Sequence, residues 1–420
     1  MFARKVYNRL LLSIILYSSG ILDIMFYYTT PKILITVSLL TWSIIPVFAG
    51  HKETTSTPFL GSSASYNVLR LFIIWQILVL LRGIFFNYGI IGSIGQMGNQ
   101  YSIFAFLMPL IIFLNPRQFN FNLFVKILMF VGIIFLIYIW MNREHFYNTD
   151  IINADVMMLS DDDIEKQGNW LKGLMYSSQV FMMMGFLLFI PAYIDKKRYL
   201  FVIICWAIAL FSCIIAGRRG TSSTLIIMGL ISFYFYVNKS KKSGKTFRYL
   251  IILAGVLSIA YYLYSSFTSM FSFMANRIGG DSRSGLIAMF WNDMGSGLDW
   301  IWGRGTGGEY YCPMIQGDTM VYYRNAIESG ILFIILSGGV ISLILYVSVL
   351  LRAAIKGFFH TRNQLTKAFA AYIGVSLYNL IPFGLPECSV TFFVVWVGAA
   401  ICSSPYYRNM TDSEVKQLFR

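Results

Sequence analysis

Apolar runs long enough to cross a bilayer recur along the whole chain, and this repetition constrains the fold more than any single motif. A helix rises about 1.5 Å per residue, so about 18 to 20 apolar residues match the hydrocarbon core. Such runs read as spans at 9–28, 33–50, 68–86, 101–115, 121–141, 172–194, 198–217, 220–237, 249–267, 327–351, 368–383 and 389–404. The fourth and eleventh are short. Only 12% of the 420 residues are charged and 57% are hydrophobic, whereas an average soluble domain carries about twice that charge. No stretch between spans is long enough to fold alone. The expected fold class is therefore an all-α polytopic membrane protein of about twelve transmembrane helices, a single integral membrane domain over 1–420. No cleavage-type signal precedes the first span, which is expected to remain as an anchor.

The net charge of +14 is a topology signal. Alternate loops collect Arg4, Lys5 and Arg9, then Lys52 and Arg70, Arg117 and Lys126, and Lys196, Lys197 and Arg198. The series continues with Lys239, Lys241, Lys242, Lys245 and Arg248, with Arg352, Lys356, Arg362 and Lys367, and with Arg408, Lys416 and Arg420. By the positive-inside rule these loops and both termini are cytoplasmic. The placement gives no support for nucleic acid as a partner.

Two segments on the other face are too long to be turns. One is an acidic outer loop at 142–171, with Glu144, Asp150, Asp155, Asp161, Asp162, Asp163 and Glu165. The other, 268–326, lies between the ninth and tenth spans and is the expected functional loop. Its Arg283–Met294 portion reads as a short helix at the membrane surface.

Arginines on this depleted face are the informative anomaly. Arg218 and Arg219 close the seventh span, and the long loop adds Arg277, Arg283, Arg304 and Arg324, with no lysine. Guanidinium suits two-pronged contact with phosphate or carboxylate, and ionisable groups kept at membrane depth mark substrate sites. The alternative is that they snorkel to headgroups or pair with nearby acids.

Other signals are weaker. Gly303-Arg304-Gly305-Thr306-Gly307-Gly308 has the spacing of a dinucleotide fingerprint, but that reading needs a βαβ unit, which a loop outside the membrane does not offer. Its backbone amides are expected to be available to an anion, or else to form a tight connection. His51, His145 and His360 fall in three loops on both sides, so no metal site is expected, and no histidine in the long loop supports a Ser-His-Asp set. Cys312 and Cys388 both fall outside, where a disulfide is allowed. Trp291, Trp300, Trp302, Tyr310, Tyr311, Tyr322 and Tyr323 crowd the arginine-bearing loop, for sugar stacking or for contact with the membrane surface.

Three stretches, in order, carry a resemblance. They are Ala216-Gly217-Arg218-Arg219-Gly220-Thr221, then Arg283 to Trp291 with Trp302-Gly303-Arg304-Gly305-Thr306-Gly307-Gly308, then Tyr323-Arg324-Asn325-Ala326-Ile327-Glu328-Ser329-Gly330-Ile331-Leu332. Together they resemble the Wzy-type O-antigen polymerases, within the O-antigen polymerase and ligase superfamily of membrane glycosyltransferases. Ligases of that superfamily usually carry a His-Asn near the closing segment; here Arg324 precedes Asn325, which favours a polymerase.

The resemblance implies a GT-C-like fold in a bacterial inner membrane with the active site facing the periplasm. The implied substrate is an oligosaccharide repeat on a polyprenyl-pyrophosphate lipid, and the implied activity is metal-independent, inverting glycosyl transfer without a cofactor. Membrane lipid and a chain-length regulator protein are the expected partners. Arg219, Arg283 and Arg304 are expected to bind the pyrophosphate, assisted by Arg218, Arg277 and Arg324. Glu309 is the first candidate for the base, followed by Asp281, Asp318 and Tyr323. The rival readings are a ligase of the same superfamily and a transporter or flippase of lipid-linked glycan.

Overall fold

The computed structural model describes residues 64–88, 106, 109, 112–113, 119–141, 181–182, 184–215, 219–238, 284–295, 297–316, 319–325, 327, 329–381 and 390–419. The expected spans 9–28, 33–50 and 249–267, most of 101–115, and the 142–171 loop lie outside them. In chain order the elements are α1 (Ala64–Gly83), extended by a π-helical turn at Ile84–Tyr88, then α2 (Phe121–Met141), α3 (Lys196–Ile215) and α4 (Arg219–Asn238). They continue with α5 (Ser284–Met294), α6 (Asp299–Trp302), β1 (Tyr310–Gln316), β2 (Thr319–Arg324), α7 (Gly330–Phe359) and α8 (Gln364–Asn379). The chain ends through α9 (Val390–Ser403), α10 (Pro405–Asn409) and α11 (Asp412–Gln417).

Among the described residues, four helical stretches are long and apolar enough to cross a membrane: Tyr66–Asn87, Lys196–Ile214, Gly220–Val237 and Gly330–Phe359. In the first three only 33% of the apolar window is buried by protein. Leu71, Ile74, Leu78, Leu81 and Phe85 of the first, Leu200 and Ile204 of the second, and Ile226 and Leu230 of the third are all exposed. Rows of bare apolar side chains on this scale belong against hydrocarbon. The architecture is that of a mainly α-helical membrane protein.

Several helices fall where hydropathy places them, α2, α3 and α4 closely so. Two differ. The expected 172–194 span leaves the α-helix at a 3-10 turn, Gly185–Phe189, and Pro191 stands in the turn that follows, where a missing N–H ends a helix. The expected 327–351 span is a longer helix, Gly330–Phe359, with a break at Gly339. Arg352 and Lys356 ride on its last turns, where cations suit the negative end of the helix dipole.

The chain divides into two compact units, one of 1–123 with 282–420 and the other of 124–281. In the second, Trp206 Nε1 of α3 donates to the Leu225 carbonyl of α4 at 2.9 Å, and the Tyr199 and Ser232 hydroxyls share a 2.9 Å hydrogen bond. In the first, Phe72 of α1, Phe106, Tyr346 of α7 and Trp396 of α9 form an aromatic core, with ring centroids 5.7–6.0 Å apart. Below it, Asn363 caps α8 by accepting from the Thr366 amide at 2.9 Å. Its side-chain amide donates to the Tyr407 and Met410 carbonyls, tying the C-terminal segment to the α7–α8 turn.

The segment joining Ser284 to α7 is folded. The helix read at 283–294 is α5, whose Leu286, Ile287, Phe290 and Met294 recur at helical spacing and turn inward. An antiparallel hairpin, which the all-α reading did not include, follows. Tyr311 pairs with Tyr323 and Met314 with Val321, so β1 carries one extra residue opposite Tyr322. Pro313, with no N–H to give the ladder, sits in that bulge. Tyr310 and Cys312 point into a core with Phe290, Met294, Ile327, Leu332 and Phe333. The core continues into the first turns of α7, so the segment forms a cap seated on that helix. Cys312 is a buried free thiol there; Cys388 lies outside the described residues.

Candidate functional site

A break in α7 organises the site. Gly339 adopts φ 69° and ψ 179°, a conformation open essentially to glycine alone. A break of this kind interrupts the helix ladder, and buried carbonyls beside it need donors from elsewhere. The glycine-rich loop supplies them. The Arg304 amide donates to the Leu336 carbonyl at 2.7 Å, and the Gly305 amide to Ser337 at 2.8 Å. Trp75 Nε1 of α1 takes the Gly338 carbonyl at 2.8 Å. On its other side the Thr306 amide donates to the Val79 carbonyl at 3.2 Å. The Asn87 side-chain amide reaches the Arg304 and Thr306 carbonyls at 2.9 and 3.0 Å.

The loop thus stitches the C-terminal end of α1 to the N-terminal part of α7. Of the two expectations for this loop, amides open to an anion or a tight connection, the hydrogen bonds fit the tight connection. The Gly303 amide serves the Asp299 carbonyl and the Gly308 amide serves Gly305, so the amides of residues 303–306 and 308 are all committed to protein carbonyls.

Fixing the backbone on that side aims the Arg304 side chain to the other. Its Nε donates to Asp299 Oδ2 at 2.9 Å, Nη1 to the Asp293 carboxylate and to the Glu309 carbonyl at 2.7 Å, and Nη2 to the Asp293 carbonyl at 3.0 Å. Four of the five donors of a guanidinium are therefore taken. Burial alone would lower its pKa, but the hydrogen bonds and charges of Asp293 and Asp299 outweigh it and hold the group above its ordinary value. Arg304, expected as a phosphate ligand, joins α5, α6 and the start of β1 through these contacts.

This junction forms one wall of a cleft of about 430 Å³, lined among the described residues by Arg82, Phe86, Asn87, Asp299, Arg304, Gly307 and Glu309. Arg82, in the last turn of α1, contacts Asp299 Oδ1 at 3.4 Å. Glu309 is exposed at the cleft while its carbonyl anchors Arg304. Aromatic pairs brace the surroundings: Trp291 stacks on Trp300 at 4.4 Å, and Trp302 stacks on Trp75 of α1 at 5.3 Å.

Of the residues singled out from sequence, the structure brings Arg304 and Glu309 together. Tyr323 and Arg324 stand on β2 outside the cleft lining, Tyr323 edge-on to Tyr311. Arg218, Arg277, Asp281, Arg283 and Asp318 lie outside the described residues, and Arg219 is described only as the first residue of α4. Arg82, Asn87, Asp293 and Asp299 were missed. Arg82 breaks the apolar run at the end of its span, and the spacing of Asp293 and Asp299 before Arg304 was the available signal for the other two. No family model, curated protein or solved structure matches the chain.

Proposed function

We propose that the chain is a membrane glycosyltransferase that polymerises polyprenyl-pyrophosphate-linked oligosaccharide repeats into a surface polysaccharide, in the manner of Wzy-type O-antigen polymerases. The observation that carries this reading is the cleft itself. A polar cavity holding an exposed carboxylate, two arginines and an amide opens beside the apolar face of α1, within the size range of small-molecule sites. Lipid-linked glycan has the matching chemistry, with hydroxyls for the polar groups, phosphates for the cations and a hydrocarbon tail for the bilayer.

In this reading the cleft faces the periplasm of a bacterial inner membrane. A hydroxyl of the acceptor glycan attacks the anomeric carbon of the donor, and Glu309 takes the hydroxyl proton. The bond to the pyrophosphate oxygen breaks, and polyprenyl pyrophosphate leaves with the electron pair. Fixed guanidinium groups stabilise that growing negative charge, and loss of one such donor costs on the order of 10²–10³ in rate. Arg218, Arg219, Arg277, Arg283 and Arg324 remain proposed contributors, whereas Arg304 acts by holding the cleft wall.

The test is incubation of the purified full chain in lipid nanodiscs with a single species of lipid-linked repeat. A ladder of longer glycans supports a polymerase. Transfer only when a separate lipid acceptor is added points to a ligase, and unchanged substrate carried across the membrane points to a transporter; either result overturns the proposal.

A further inference from the structure

We infer that Arg82 is the cation that receives the lipid phosphate in this cleft, with the Asp299 carboxylate holding its place until the ligand arrives. The inference rests on the glycosyl-transfer reading and assigns the headgroup contact within it. The two arginines of the cleft differ in what they have left to give. Arg304 has four of its five donors engaged by Asp293, Asp299 and Glu309. Arg82 has one contact, Nη2 to Asp299 Oδ1 at 3.4 Å, well beyond the 2.7–2.9 Å of a strong charge-assisted bond. Its Nε and Nη1 are unengaged among the described residues, and its side chain is 34% exposed against 22% for Arg304.

Asp299 is held from the other side. Its Oδ2 accepts from Arg304 at 2.9 Å, so the carboxylate stays put while its second oxygen only leans on Arg82. An arriving phosphate exchanges that long single contact for a two-pronged one. The surroundings fit a phosphate carried on a hydrocarbon chain. Phe86 lines the same cleft and is 80% exposed, and Leu78, Leu81 and Phe85 continue the bare apolar face of α1 toward Arg82. The head of such a ligand reaches Arg82 while its tail lies along α1.

A simple snorkelling role for Arg82 makes a different prediction, because then Asp299 competes with nothing. The full chain in nanodiscs is titrated with geranylgeranyl pyrophosphate and, separately, with inorganic pyrophosphate. Binding by R82Q is expected to weaken about tenfold or more, and R82K to fall between, since it keeps the charge and loses the fork. D299N is expected to tighten binding about threefold by removing the competing carboxylate. Thermal unfolding of R82Q should match the parent chain. Stronger binding of the lipid pyrophosphate than of the inorganic ion supports the tail path along α1, and equal binding overturns it. Unchanged affinity in R82Q overturns the Arg82 assignment and leaves glycosyl transfer standing. Unchanged or weaker binding in D299N overturns the place-holding role. Absence of lipid-pyrophosphate binding in the parent chain overturns both readings.

Discussion

Gly303 and Gly339 meet backbone to backbone, both at φ 69°, where the glycine-rich loop crosses the break in α7. A Cβ on Gly303 would lie 2.5 Å from the amide nitrogens of Gly338 and Gly339, and one on Gly339 would strike the Ile301 carbonyl. G339A and G303A should each destabilise the fold by about 2–4 kcal/mol, through strain at a glycine-only conformation plus steric overlap. The double variant should cost less than the sum, because both substitutions open one contact. Gly285 has open space around its Cβ position in α5, so G285A should be neutral or stabilise by up to about 1 kcal/mol. Thermal unfolding of the detergent-purified variants reads all four.

Arg304 should respond to its partners in a definite order. R304K keeps a charge but cannot reach four acceptors from one planar group, and should loosen the cap by about 2–3 kcal/mol. The Asp293 side chain is 22% exposed and that of Asp299 is 36% exposed, so solvent screens the second pair more. D293N should therefore cost more than D299N, and a double-mutant cycle with R304K should give the larger coupling at Asp293. Amide exchange across 284–316 supplies the local stabilities, and equal coupling at both sites would contradict the assignment.

Hydropathy alone made the long helices legible. Phe121–Met141 falls where its run of apolar residues places it, and Lys196–Ile215 and Arg219–Asn238 lie within two residues of their expected bounds. The break at Gly339 was hidden because glycine pairs are common in membrane helices and the apolar run continues through it. The hairpin was hidden by Pro313, which argues against a strand unless a bulge accommodates it. Glu309 was readable as a loop carboxylate near the glycine motif. The part of Arg304 was not, because a guanidinium ready for phosphate and one saturated by aspartates look alike until the Asp293 and Asp299 contacts are known. Arg82 belongs to no motif and to no charge cluster in the sequence; its place in the cleft depends on a partner more than two hundred positions away.

The C-terminal segment should carry a local pH dependence. Glu414 accepts hydrogen bonds from the Thr411 amide and then from its hydroxyl, in a capping box that opens α11, and these hold its pKa below the ordinary 4.5. A depressed carboxylate stabilises the fold above its unfolded pKa, and that stabilisation fades as the pH falls through the folded value. Protection of the 411–418 amides should therefore be constant above pH about 5 and fall below about 4.5. E414Q should remove that dependence. Hydrogen exchange at stepped pH measures it.

Asn363 is 1% exposed and closes the same end of the molecule with one cap and two carbonyl contacts. N363A should leave those carbonyls and the Thr366 amide unpaired at a cost of about 2–3 kcal/mol. Protease cleavage within 404–419 should appear before global unfolding in that variant, and intact tails at the global transition would count against the tether.

The most direct measurement is the ratio of polyprenyl pyrophosphate released to glycosidic bonds formed when the nanodisc-embedded chain is given one lipid-linked repeat. One lipid pyrophosphate should appear for each linkage, and the rate should fall about 10²–10⁴-fold in E309Q while the protein stays folded. Recovery of the starting lipid unchanged, or equal turnover with and without the Glu309 carboxylate, would contradict glycosyl transfer at this cleft.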